Sequence, residues 1–388
     1  MANDQFSQSS QRAGTYIQQP DGYRAFIPKP LPPEPEIHWD DELRELLSLA
    51  DRAVARLDGA SSILPNPDLF VFMYVRKEAV LSSQIEGTQA SLSDVLEFEA
   101  DRAKADLQSD VPEVLNYVEA MKHGLERLAA LPISTRLLCE IHQPLLQGVR
   151  GEKLQPGELR RSQNWIGPKG ISSLNQASFI PPPPKEMHVA LDHLQKFINN
   201  DSPMPLLAKI GLVHAQFETI HPFLDGNGRV GRLLVTFMLC WKQALQRPLL
   251  YLSHYLKFHR EEYYQRLQNV RLHGDWEGWL RFFLQGVYDV GQEATATARR
   301  IVELRERDRS QVVEHLGKGA ATGLALLEDL YQHPVTAVNR AKAVTGTSYS
   351  STNTLVHKLV DLNILTEITG QGRNRLFLYG QYLDLFRD

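Results

Sequence analysis

Apolar side chains recur at three- and four-residue intervals along most of the chain, the spacing of a helix that buries one face. That period predicts helices over 40–57, 68–85, 92–107, 111–128, 134–146 and 185–199, the second following a turn-like Leu-Pro-Asn-Pro and closing at Gly87. The segment PLLAKIGLVHAQFETIHPF puts Leu206, Ile210, Val213 and Phe217 on one face. It predicts a buried helix that stops before Pro222, because the residue ahead of a proline is pushed out of the helical region. RLLVTFMLCWKQAL predicts a second, more apolar helix just after Gly228, with the short loop LDGNG between the two. From 276 to 316 the period stays helical and becomes charged at ELRERDR, which reads as a solvated connecting helix; Gly-Lys-Gly-Ala at 317–320 marks a break.

Three stretches depart from this period. The proline-rich IPKPLPPEPEI reads as an extended strap without a core of its own. Residues 160–184, RRSQNWIGPKGISSLNQASFIPPPP, hold a Gly-Pro-Lys-Gly turn signal between two short extended pieces and read as an exposed hairpin ending in stiff polyproline. The last residues order as three helices (323–331, 337–344, 350–362) and a glycine-tipped extended pair, the sequence of a winged helix-turn-helix. The predicted organisation is an N-terminal strap (1–36), a helical region (37–110), a helical core (111–290), a connecting helix (291–320) and a small C-terminal domain (321–388).

Composition adds bounds. With 388 residues, 43% hydrophobic, 23% charged and a net charge of −4, the chain is that of an ordinary soluble protein with no overall pull toward nucleic acid. No apolar run approaches a membrane span and the start has neither a basic nor an apolar leader region, so a cytoplasmic protein without membrane contact is expected. Cys139 and Cys240 lie in separate helical patterns and read as reduced core residues, not a disulfide or a zinc site.

The chemistry concentrates in HPFLDGNGRVGR, residues 221–232. Arg229 and Arg232 fall at the start of a helix, where a cation is unfavourable by roughly 0.3–1 kcal/mol. Backbone N–H groups of Gly226, Asn227 and Gly228 can curl into an anion nest there, and a polyphosphate would offset both arginines. Asp225 beside that anion makes sense with a divalent cation such as Mg²⁺ between them, and His221 can take a proton from an incoming hydroxyl. Together these residues describe phosphate-transfer chemistry. Glu86 is misplaced in the opposite sense, a carboxylate at the C-terminal end of a helix; a Glu86–Arg232 pair would satisfy both if the helices meet.

HPFLDGNGRVGR resembles the signature of the Fic family, H-x-F-x-[D/E]-G-N-G-R-x-x-R, at every defined position. The resemblance implies a mainly α fold, a Fic-type helical core with a small β-hairpin flap, and transfer of AMP from ATP to a tyrosine, serine or threonine hydroxyl of a target protein or of the chain itself. It implies His221 as general base, Phe223 as the loop's apolar anchor and Asp225 as the magnesium ligand. Gly226, Asn227, Gly228, Arg229, Val230, Gly231 and Arg232 would line the ATP phosphates, and Phe258, His259 and Tyr263 the adenine. Residues 160–184 would be the flap on which the target docks by strand addition. Ser82, Glu86 and Gly87 resemble the family's inhibitory S-x-x-x-E-G motif, whose glutamate occupies the arginine that orients the γ-phosphate; in some relatives the same glutamate serves removal of AMP. A DNA-binding regulator acting through 321–388 is the competing class. That segment balances six Lys/Arg against six Asp/Glu, weak support for a DNA footprint, and a protein-docking or homodimer-forming role stands equal with it.

Overall fold

A computed structural model describes residues 12–62, 67–100, 110–167, 174–370 and 374–387. Strands β1 (Gly14–Gln18) and β2 (Arg24–Pro28) open the chain as an antiparallel pair. Seven helices follow: α1 (Asp41–Ser62), α2 (Pro67–Ile85), α3 (Leu92–Ala100), α4 (Val111–Leu128), α5 (Thr135–Leu145), α6 (Pro184–Asn199) and α7 (Leu206–Ile220). Next come α8 (Asn227–Trp241), α9 (Ser253–Phe258), α10 (Arg260–His273) and the long α11 (Trp276–Leu316). The tail is α12 (Ala320–Leu330), β3 (Val335–Ala337), α13 (Val338–Thr345), α14 (Tyr349–Asp361), β4 (Thr366–Glu367), β5 (Leu376–Leu378) and α15 (Gly380–Asp384), its strands ordered β3-β5-β4 and antiparallel. The molecule is mainly α, as the apolar period predicts.

Local chemistry sets the ends. Ser134 caps α5 by accepting from Leu137 N–H, and Asp275 caps α11 by accepting from Gly278 N–H at 2.9 Å; such caps contribute about 1 kcal/mol each. Helix α7 is buried over nearly its whole surface, with α6, α8, α10 and α11 packed around it. A helix buried on all sides is a rigid base for whatever its ends present.

Two expectations are corrected. The N-terminal stretch is not an extended strap throughout, because residues 14–28 pair as β1 and β2. Along β2 successive side chains face opposite ways: Phe26 enters the main core and Ala25 packs with Tyr23 and Ile180. The turn Gln-Pro-Asp-Gly, 19–22, was the legible signal. Nor is the charged part of α11 a solvated connector. Leu304, Arg305, Asp308 and Val312 are buried, and Asp308 accepts from the Tyr379 hydroxyl of the tail. The helix runs 41 residues without a break, across the expected boundary at 290. The tail also reaches α2, with Phe386 edge-on to Tyr74 at 5.3 Å and His333 against Phe72 at 5.6 Å.

The predicted turns at 64–66 and 168–170, the end of the third helix beyond 100, and Arg373, which with Arg375 belongs to the expected wing and could touch DNA phosphates, lie outside the described residues. On either side of residues 168–173, Ile166 and Phe179 form an antiparallel bridge, in keeping with a hairpin. Cys139 and Cys240 are free thiols, which burial pushes up to about 11 and 12. Among the described residues no helix is long and apolar enough to cross a membrane.

Candidate active site

Helix α7 ends at His221, whose backbone turns left-handed (φ 50°, ψ 61°) while its N–H still reaches the Phe217 carbonyl at 2.9 Å. The left-handed form costs a non-glycine residue about 1–2 kcal/mol, so the surroundings must hold it. They do so through peptide groups. Asn227 clamps Phe223 from both sides, its Oδ1 accepting from Phe223 N–H and its Nδ2 donating to Phe223 O, each at 2.8 Å. Asn164 donates to the same carbonyl at 2.8 Å. Phe223 is buried and stacks on His142, ring centroids 3.9 Å apart and planes 11° from parallel.

His142 fixes the far lip. Its Nδ1 accepts from Gly157 N–H at 2.9 Å, which leaves the proton on Nε2 to donate to Asp225 O at 3.0 Å. Burial pushes its pKa down to about 4, so the neutral tautomer persists. Asp225 Oδ1 accepts from Gly226 N–H at 2.7 Å. Gly226 is left-handed at φ 77°, a conformation that favours glycine. Gly228 is required for another reason: a Cβ there would lie 2.2 Å from Glu86 Oε1.

The N–H groups of Asn227, Gly228 and Arg229 open α8 beyond the reach of its own carbonyls. Beside them Arg229 is buried, and its Nε and Nη1 make no hydrogen bond among the described residues. Glu113 Oε2 stands 3.6 Å from Nη1, and Arg150 lies the same distance from that oxygen. Arg232 is buried too, and its Nε and Nη2 are engaged. Its Nε donates to Ser82 Oγ at 2.8 Å, and its Nη2 donates to Ser82 O at 3.0 Å and to Glu86 Oε1 at 2.7 Å. The two charges misplaced on their own helices therefore meet. Burial works to raise the Glu86 carboxyl, and Arg232 overrides it, leaving the group below its ordinary value. Gly87 ends this segment with φ 101°.

Burial also lowers the His221 imidazole, and the nearby Arg271 and Arg160 cations add to the effect, bringing it to about 3. The ring is therefore neutral at ordinary pH. Glu218, one turn earlier on α7, is pushed up by burial to about 7.

Other expected site residues lie elsewhere. Val230 is wholly buried, and Gly231 backs onto α7, where a Cβ would meet Glu218 Oε1 at 2.5 Å; neither opens on the loop. Tyr263 is a core residue whose hydroxyl bonds His214 Nε2 at 2.9 Å, so its ring is closed to an adenine. His259 is half-buried between Tyr255 and Phe258, and Phe258 is 80% exposed. Sequence reading missed Arg160, Asn164, His142 and Glu113, since their partners are peptide groups or residues distant in the chain.

Residues 44–126 match the family described as Fic/DOC family N-terminal, and residues 132–239 match the Fic/DOC family. The chain carries a Fic/DOC domain. Protein adenylyltransferase Fic of Aedes aegypti is 29% identical over 204 residues, which cover 51% of this chain and 37% of that protein. The Drosophila virilis protein of the same name is 27% identical over 251 residues, covering 62% and 46%. This chain thus spans less than half the length of these curated relatives. The crystal structure of a Fic family protein from Desulfovibrio desulfuricans G20 superimposes with a TM-score of 0.57 at 18% identity, over 88% of this chain and 97% of that one. It supports the fold alone, and extends it beyond the Fic/DOC domain.

Proposed function

We propose that the chain is a protein adenylyltransferase, moving AMP from ATP to a tyrosine, serine or threonine hydroxyl of a target protein or of itself, and that Glu86 holds it idle. The observation that carries the reading is Arg229: a buried guanidinium with unmet donors, beside three first-turn N–H groups that the helix itself cannot pair, calls for a multiply charged anion. In this reading His221 takes the proton from the acceptor hydroxyl and the freed oxygen bonds to the α-phosphorus. The bond from that phosphorus to the oxygen bridging to the β-phosphorus breaks, and pyrophosphate leaves. Arg229 and Arg232 serve the outer phosphates, Arg232 only once Glu86 has withdrawn. The Asp225 carboxylate, flanking the loop, suits Mg²⁺, which is held by one or two carboxylates plus phosphate oxygens. Such an ion would supply charge neutralisation for the departing pyrophosphate.

Incubation with ATP labelled at the α or the γ phosphate tests the reading. Label from the α position should stay on protein through denaturing electrophoresis, and label from the γ position should not; γ label on protein would mean a kinase. The pH profile gives a second check. A depressed pKa keeps His221 proton-free to lower pH, so the incorporation rate should show no acid limb near the ordinary histidine value of about 6.5. Half-loss of rate at about that pH would contradict the depressed pKa of this base.

The tail reads as a winged helix, α12 to α14 followed by the β4–β5 pair. Arg375, the described arginine of its wing, bonds Asn353 at 2.7 Å and His357 at 3.1 Å and lies 3.6 Å from Glu367. A cation so engaged favours protein docking over DNA contact.

A further inference from the structure

We propose that Arg160 is a positioning residue that ties the base of the flap to the turn carrying His221, so that a docked acceptor and the imidazole share one rigid frame. The inference rests on the reading of His221 as the base. Arg160 is wholly buried, and its side chain donates to four carbonyl oxygens from three segments. Nε reaches His221 O at 2.9 Å, and Nη2 reaches Ile220 O at 3.4 Å and Pro182 O. Nη1 reaches Ser162 O at 3.2 Å, and the Arg160 N–H donates to Pro222 O at 3.0 Å.

Each group answers a need. Ile220 and His221 are the last carbonyls of α7, which no turn of helix can satisfy and which carry its partial negative charge. Ser162 and Pro182 are the two feet of the flap, on either side of the bridge between Ile166 and Phe179. Five donors fixed in a plane can serve four acceptors at once, whereas a lysine offers three donors on one atom. The neighbouring contacts repeat the theme: Gln163 Nε2 donates to Pro181 O at 2.9 Å, and Asn164 reaches over to Phe223 O. Arg160 touches neither Arg229 nor Arg232, so it can act on acceptor geometry without acting on phosphate binding. Burial lowers its pKa only to about 10, which leaves it charged, and that charge opposes protonation of His221.

The test compares Arg160→Lys with Arg161→Lys in the full chain, both in a Glu86→Gly background. Arg161 is exposed and bonds Glu158 at the surface, so its variant should behave as the parent. For Arg160→Lys, ATP affinity by calorimetry should stay within about twofold, while α label should enter protein about ten- to a hundredfold more slowly. In ¹⁵N-histidine spectra the His221 ring signals should be shifted or broadened relative to the parent. Parent-like rate and spectra overturn the proposal, as does a loss of ATP affinity in step with the rate. If the parent itself transfers no label, the adenylyltransferase reading fails, and the His221 spectrum alone decides the case for Arg160. Should the lysine variant not fold, exchange of the Arg160 Nε proton in the unsubstituted chain decides: strong protection supports the bridge, and exchange at the rate of a free guanidinium overturns it.

Discussion

Replacing Glu86 with glycine should raise incorporation of α label from ATP by about ten- to a hundredfold. The Glu86–Arg232 bond is charged on both sides and 2.7 Å long, a class that contributes about 1.5–3 kcal/mol net. Each 1.4 kcal/mol is a factor of ten in population. The carboxylate oxygen lies where a Cβ on Gly228 would collide with it, hence in the open first turn of α8 where phosphate oxygens would seat. Removing it frees one Arg232 donor while Ser82 keeps the guanidinium in place through Nε. Little structure should be lost, since the side chain is 31% exposed and the helix ends there. The check is a time course with both proteins at equal concentration, with circular dichroism to confirm the fold. An unchanged rate would mean that the pair is structural and that the chain is not self-restrained.

In that activated background, replacing His221 should lower the rate by about 10²–10⁴-fold, the range for loss of a positioned base. Alanine alone is an ambiguous probe, because the position is left-handed and alanine resists that conformation. Asparagine tolerates it and lacks a basic ring. His221→Asn should therefore keep the melting temperature and ATP binding of the parent while losing transfer. Transfer within tenfold of the parent in that variant would place the base elsewhere, with Glu218 the next group to test.

What the sequence disclosed follows from how far each effect reaches along the chain. Helix α4 starts and stops where the apolar period does, because its boundaries are set by residues within a few positions of each other. The Glu86–Arg232 contact was legible for a similar reason. Each charge sits at the wrong end of its own helix dipole, so the local pattern held an unpaid cost that only a distant partner could relieve. Arg160 left no such trace, because its acceptors are carbonyl oxygens, which every residue type carries. Tyr263 shows the limit of periodicity: it lies in a helix whose aromatic spacing fits both a core and a pocket, and the bond between its hydroxyl and His214 Nε2 that decides for the core is a tertiary fact. The β1–β2 pair was within reach of its Gln-Pro-Asp-Gly turn, and the prolines on its C-terminal side masked it. The buried stretch of α11 was hidden because a row of arginines and glutamates looks alike whether it meets water or another charged surface.

Helix α11 spans about 60 Å at 1.5 Å per residue, carrying Trp279 against α7 and Asp308 under the tail. A domain hung on a loose tether can swing, be clipped off or be exchanged without the enzyme noticing. One welded along a common girder, with Phe386 and His333 braced against the same helix that ends beside Glu86, cannot. Any load placed on the tail is shared with α2, whose far end meets Arg232 through Ser82 and Glu86.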